Sequence, residues 1–471
     1  MEENGIRIDL DYLDGAIKKT EREIREKERR LEESPIFKKW KNRFGKRMNL
    51  DSTQQLAAVL EKDMGYKPKS EDDLTFTGKL KTDEYTLRHV DNPFMPDYFS
   101  VKKLKKSLGT YLKGYRREVC GEFLHPSYNL AGGFQDKDDK DKGGAASYRS
   151  SCSMPNFTNI PVRNKVMEKL IRPCFIPRKG RRFVCRDLSG VEVRTGYFYH
   201  KDPTMKKYLR GGGDMHRDEA QQIYCTTPKE YEKHKDYYKS TIRDSAKNQW
   251  VFPQFYGSVW FQCAPNMWEA MEKRDFRVGP KGITMREHLA KHGIKKLGPC
   301  KPDAKPKKGT FARHLIEVEH NLWNKRFPVY TEWKKKFYSL YLKNAYFDLL
   351  TGFRCTGYYR RNQVVNFPIQ GVAFHCLLWI IIQIQKEIRR RKMRTLLVGE
   401  IHDDIIADVP EDEIQEYLEL THKIITIDLP KAWKFINIEI EAEAAVTPKG
   451  GSWYDKEEWT RNKKGIWALK V

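Results

Sequence analysis

"EIHDDIIADV", residues 400–409, sets two adjacent aspartates after a histidine, with apolar residues on both sides. The wider run "TLLVGEIHDDIIADV" (395–409) reads as strand, turn, strand, with Asp403 and Asp404 near the turn. Two carboxylates a few ångströms apart repel, and burial raises the cost of each charge. Such a pair needs a cation. A second strand, "RRFVCRDL" (181–188), also ends on an acid, Asp187. If the two strands are neighbours, the carboxylates converge into a hard, oxygen-rich site suited to Mg²⁺.

Cations follow between these strands. "GGGDMHRDEAQQIY" places Asp214, His216 and Arg217 at a helix start. "RDSAKNQW" places Arg243 and Lys247 on one helical face, where they suit a triphosphate tail. Asp-bound Mg²⁺ and a helix-borne Arg/Lys pair point to phosphoryl or nucleotidyl transfer.

The whole chain carries a matching charge. Lys plus Arg number 89 against 64 Asp plus Glu, a net +25, and aromatic residues make up 12%. This favours a polyanion, nucleic acid above all, with an anionic membrane as the competitor. No apolar run reaches 18 residues and no signal segment opens the chain, so a soluble, intracellular protein without membrane contact is expected. The nine cysteines are odd in number and form no CxxC pair, which disfavours a zinc site or a disulfide framework.

Residues 16–33, with Ile17, Ile24 and Leu31 seven apart, predict a long helix with one narrow seam. A basic helix is expected over 101–119, and its Lys102, Lys103, Lys105 and Lys106 are candidates to grip phosphates. "GGFQDKDDKDKGG" (132–144) reads as a polar loop, 240–258 as a helix, and 291–310 as an exposed Lys- and Pro-rich insertion. A helix over 372–391 and a strand through "FINIEIEAEAAV" (435–446) complete the chain. Early and late strands around helices imply an α+β fold with a helical insertion.

Three stretches, "RDLSGVEVR", "RDSAKNQWVFPQFYG" and "EIHDDIIADV", resemble motifs A, B and C of the family-A (polymerase-I-like) DNA polymerases. "LHPSYNL" with "YRSSCSMPNFTNIPVRN" (148–164), "NFPIQG" (366–371) and "TGKLKTDEYTL" (77–87) are similar to three more of that family's motifs. All six stand in the family's order, and the likeness covers nearly the whole chain. It implies a right-hand fold: an antiparallel-sheet palm with helical fingers and a helical thumb. The implied boundaries are palm 1–15, thumb 16–120, palm 121–192, fingers 193–359 with a basic insertion at about 266–310, and palm 360–471. "NGIRIDLDYL" (4–13) is similar to the segment opening the family's polymerase domain, so no intrinsic 3′–5′ exonuclease is expected. A polymerase this compact suits a virus or phage, with a separate chain as exonuclease or processivity factor.

The resemblance also implies roles. Asp187 and Asp403, with the Leu188 carbonyl and Asp404, would hold two Mg²⁺ ions, for which Mn²⁺ substitutes. Asp187, Asp403 and Lys247 would be catalytic. Glu192 would exclude a ribose, and His216, Arg243, Lys247, Phe252 and Tyr256 would complete the dNTP site. Arg149, Asn156, Asn159, Arg163, Asn366, Gln370 and His402 would contact primer–template DNA. The chain departs from the family pattern at several points. Asp404 stands where the family has Glu, Gly190 where it has Gln, and Arg361 is displaced by one position. Lys247 and Phe252 lie five apart where the family has four, which predicts a π-bulge or a break. Two rival readings share the Asp site: a single-subunit RNA polymerase and a metal-dependent nuclease.

Overall fold

The computed structural model describes residues 1–470 apart from 69–72, 76–77, 88–89, 91, 131–144, 146, 162–163 and 212. The polar loop expected at 132–144 therefore lies outside the described residues. The centre is a six-stranded antiparallel sheet. Its order is Trp467–Leu469, Glu457–Arg461, Ala442–Val446, Arg181–Leu188, Asp404–Pro410, Leu396–Ile401. The two strands expected to carry the acids are neighbours. Their register sets Asp187 opposite Asp404 and Arg181 opposite Pro410.

Strand alternation sends successive side chains to opposite faces. Val184 and Leu188 face a core shared with Ile405, Ala407 and the helices beyond. Phe183 and Cys185 face a second core with Phe157, Phe175 and Trp453. Gly399 is needed where the hairpin passes Phe157, since a Cβ there would lie 2.8 Å from its Cε1. A third core, mainly helical, gathers Ile24, Leu31, Trp40, Phe94, Tyr98 and Leu104.

Helix Leu10–Glu33 starts at Asp9, which accepts from the Tyr12 amide at 2.9 Å, and its expected seam buries Ile24 and Leu31. The basic helix begins earlier than expected, at Phe94, because Asn92 accepts from the Phe94 amide at 3.0 Å. It runs on through a π-helical turn, Ser107–Leu112, to Lys113–Glu118.

The helix expected over 240–258 is broken at Thr241 and contains a π-helical turn over Ala246–Val251. Of the strand expected over 435–446, only Ala442–Val446 joins the sheet. Ile436, Ile438 and Ile440 keep the alternating burial but have no ladder partner. The 266–310 region is partly core: Phe276, Met285 and Leu289 are fully buried. Helix Arg361–Arg390 is long and apolar enough to cross a membrane, yet 61% of its most apolar window is buried inside the fold, as befits a core helix.

Candidate active site

The hairpin Leu396–Ile401 to Asp404–Pro410 closes through just two residues, His402 and Asp403. His402 sits at φ 61°, a left-handed conformation that glycine takes at such a turn without a Cβ penalty. A non-glycine residue held there is strained, and strain of this kind collects at working sites. The turn is tied to the neighbouring strand end: the Leu188 amide donates to the Asp403 carbonyl at 3.0 Å, and the Ser189 amide to that of Glu441 at 2.9 Å. Two distant motifs are thus locked side by side. The Asp187 carboxyl remains exposed, Asp403 is half-buried and Asp404 is buried.

Their electrostatics show unmet charge. Loss of solvation, then Asp403, Asp404 and Glu443, pushes Asp187 up to about 7. Burial likewise raises Asp403, against Arg149 and His402. Asp404 is raised by burial, with Lys456 opposing; its Oδ2 takes Lys456 Nζ at 3.2 Å, while its buried Oδ1 has no partner. Among the described residues no three His, Cys, Asp or Glu side chains gather as a ready-made metal site. Asp187, Asp403 and Asp404 are therefore not preassembled as a cage. Mg²⁺ needs no such cage, since it is commonly held by one or two carboxylates together with substrate phosphates and water. Asp187, Asp403 and the Leu188 carbonyl fit that pattern.

Glu192, on the first turn of Val191–His200, joins two neighbours. The Tyr256 hydroxyl donates to one of its oxygens and the Arg149 guanidinium pairs with the other. Burial first, then Asp403, pushes Glu192 up to about 7. Ser150 donates to the buried Glu400 at 2.8 Å.

Helix Ile242–Ser245 and the π-helical turn after it, Ala246–Val251, carry the expected cations Arg243 and Lys247. Arg243 Nε bonds Asp214 Oδ2 at 2.6 Å, and Asp214 caps the His216-bearing helix. The π-helical turn absorbs the extra residue between Lys247 and Phe252: Lys247 Nζ lies 5.5 Å from the Phe252 ring centre, so both share a face. Phe252 stacks on Tyr256 at 6.3 Å and meets His216 edge-on at 5.6 Å. His216 is pushed down to about 4 by burial, then by Arg243 and Lys247, so its imidazole is neutral near pH 7.

Asn366 is buried on helix Arg361–Arg390 and donates to the Tyr256 carbonyl at 2.6 Å, leaving its Oδ1 unpartnered. Gln370 follows four residues on along the same helix. Asn156 and Asn159 are exposed beside Phe157, and Arg163 lies outside the described residues. The four lysines of helix Phe94–Lys106 are largely committed within the protein. Lys103 pairs with Glu84 at 2.5 Å, Lys105 with Glu28 at 2.6 Å, and Lys102 donates to the Tyr98 hydroxyl at 3.3 Å. Sequence reasoning missed Lys456. A single lysine in "WYDKEEW" carries no spacing signal that ties it to Asp404.

The profile of the family described as DNA polymerase family A matches residues 15–273 and 338–455. DNA polymerase I of Chloroflexus aurantiacus is 25% identical over 90% of this chain and 39% of its own length. The thermostable DNA polymerase I of Thermus filiformis is 23% identical over 97% of this chain and 47% of its length. The DNA polymerase of Bacillus phage SP01 is 23% identical over 83% and 39%. The chain thus spans less than half the length of these relatives. Among solved structures, the POL domain of Pol1 from M. smegmatis, in complex with DNA primer-template and dNTP, superposes with a TM-score of 0.67 at 20% identity. The match covers 97% of this chain and 68% of that one, and it shows the same right-hand fold.

Proposed function

Because the chain belongs to DNA polymerase family A, we propose that it is a template-directed DNA polymerase. It would extend the 3′-hydroxyl of a DNA primer with dNTPs and release pyrophosphate. The observation that supports this most is the hydrogen bond from the Leu188 amide to the Asp403 carbonyl at 3.0 Å. It fixes two strand ends from distant motifs, each carrying a carboxylate, beside each other.

In this reading the central sheet is the palm, the helical core around Trp40 the thumb, and the helices bearing Arg243 and Lys247 the fingers. Asp187, Asp403 and the Leu188 carbonyl would hold two divalent ions, Mg²⁺ with Mn²⁺ able to substitute. Such ions, when bound, activate the primer hydroxyl and offset charge on the triphosphate. Arg243 and Lys247 would hold the triphosphate, with Lys247 placed to protonate the leaving pyrophosphate. His216, being neutral, would contribute a hydrogen bond rather than a charge. Phe252 would pack on the sugar, and Tyr256 would sit beside the templating base.

Glu192 would close the space a 2′-hydroxyl needs, held there by Tyr256 and Arg149. Asn366, Gln370 and His402, with Arg149, would follow the minor groove, where every correct pair offers acceptors in equivalent places. Asn156, Asn159 and Arg163 would steady the duplex. Of the basic thumb helix, Lys106 is best placed to meet phosphate, having no partner among the described residues.

Primer extension in Mg²⁺ with dNTPs, against rNTPs and against no nucleotide, tests the proposal. Template-dependent lengthening with dNTPs is expected. Preference for rNTPs would mark an RNA polymerase, and shortening without nucleotides a nuclease; either result would remove this reading.

A further inference from the structure

Residues 274–337 fall between the two stretches that match the family profile. Within them, 291–310 ("KHGIKKLGPCKPDAKPKKGT") holds many lysines and a single acid, Asp303. Lys295, Lys296, Lys305, Lys307 and Lys308 are all exposed, and among the described residues none has an ion pair or side-chain hydrogen bond. This contrasts with the thumb helix, where Lys103 and Lys105 are neutralised by glutamates.

The loop is nonetheless held in place. The Phe311 amide bonds Lys296 O at 2.8 Å, the Ala312 amide Leu297 O at 2.9 Å, and the Lys295 amide Gly309 O at 2.9 Å. Gly298, at φ 82°, passes so close to Thr310 that a Cβ would lie 2.7 Å from the threonine Cβ. Ile294 and Thr310 are buried beneath the exposed lysines. The cationic side chains thus stand on a fixed platform.

Position gives the loop a partner. Helix Phe311–His320 leads directly from it, and Ile316, Glu319 and His320 line a cavity of about 710 Å³. Gly257, the residue after Tyr256, lines this cavity together with Trp260 and Arg361. At about 1.5 Å per residue the helix start at Phe311 lies about 8 Å along the axis from Ile316 and about 14 Å from His320, so the loop begins roughly 8–14 Å from the cavity lining. Protein partners are anchored by buried aromatic and large apolar side chains; 291–308 has no aromatic ring but His292, Ile294 is buried, Leu297 is half-buried, and its exposed apolar residues are only Pro299 and Pro302. Unpaired lysine ammoniums on an exposed loop suit phosphates, whose bound counterions they displace.

We propose that residues 295–308 bind the phosphates of the uncopied, single-stranded template ahead of the site. The proposal rests on the polymerase reading, which sets Tyr256 beside the templating base. The test compares the wild type with a variant carrying Lys→Ser at 295, 296, 305, 307 and 308, and with one carrying Lys→Arg at the same five positions. Binding is measured across a salt series on a primer–template with a long single-stranded overhang and on the same duplex made blunt.

The serine variant should bind the overhang substrate about tenfold more weakly at low salt. Its log–log salt slope should flatten by up to about 3.5, at ~0.7 per phosphate. Its blunt-duplex affinity should match the wild type, and the arginine variant should behave as wild type on both. Equal loss on both substrates, no loss on either, or a defect seen only when the overhang is paired into duplex overturns the proposal. Failure of the wild type to extend any primer removes the polymerase reading instead, while the overhang comparison still decides whether the loop binds single strands.

Discussion

Lys456 reaches from the turn after Trp453 to the buried Asp404, Nζ to Oδ2 3.2 Å, and so neutralises the carboxylate that pairs across the sheet with Asp187. Burial raises Asp404 and Lys456 lowers it again; the lysine is in turn raised by Cys185 and Asp404. The two acids of the "HDD" turn therefore differ in kind. Asp403 is half-buried at the mouth, while Asp404 is part of a buried ion pair beneath it.

Removing the lysine should expose that dependence. Lys456→Met leaves Asp404 buried without its cation and should destabilise the fold by about 3–5 kcal/mol. Adding Asp404→Asn removes the stranded charge and should recover most of the loss. Urea unfolding of the two single variants and the double variant measures this. Simple additivity of the single effects would show that the pair is not coupled.

Asp187→Ala or Asp403→Ala should lower nucleotide addition by several kcal/mol of transition-state stabilisation, on the order of a thousandfold. Primer–template affinity should survive, because binding rests on many phosphate contacts. Asp404→Ala should be milder for the chemistry. Single-turnover insertion beside equilibrium binding separates the two quantities, and near-normal insertion by either of the first two variants would refute their assignment.

Glu192→Ala should relax sugar selection. A 2′-hydroxyl must displace or lie against this carboxylate, at a cost on the order of 2–4 kcal/mol, equivalent to tens to about a thousandfold. Tyr256→Phe removes only the hydroxyl that donates to Glu192 and should have a smaller effect in the same direction. Insertion kinetics with dCTP and rCTP give the ratio directly. An unchanged ratio in folded Glu192→Ala protein would leave Glu192 as a structural partner of Arg149.

His200 should make the fold acid-sensitive. It is buried, stacks on Tyr330 at 4.3 Å, and accepts from the Asp202 amide at Nδ1. Burial, then Lys334, pushes it from 6.5 down to about 3. Above pH 6.5 the ring is neutral in both folded and unfolded chains, and stability is at its full value. As pH falls through the window from about 6.5 to 3, only the unfolded chain takes up the proton, and about 1.4 kcal/mol is lost per pH unit. Between pH 7 and 5 the wild type should lose about 2 kcal/mol more than His200→Asn, as read by unfolding at each pH.

Much of this molecule was legible in its sequence. The strand Arg181–Leu188 and the hairpin that carries Asp403 emerge where alternation and turn residues placed them, because strand period and turn geometry are local properties. The extra residue between Lys247 and Phe252 was a counting result, and the π-helical turn is its local consequence.

What local pattern could not decide is which charge meets which. Four lysines on one helix read alike in sequence, yet Lys103 and Lys105 are taken by Glu84 and Glu28 from other segments, while Lys106 is left open. Ile436 to Ile440 alternate in burial as a strand would, but among the described residues no strand pairs with them, and a turn onto Trp433 and a bend at Ile438 interrupt the segment. Asp403 and Asp404 are adjacent in sequence and differ by one strand step, and only the packing of the C-terminal turn brings Lys456 to the second. The reason is physical: backbone conformation is set within a few residues, whereas the solvation and pairing of a side chain depend on whatever the rest of the chain brings against it.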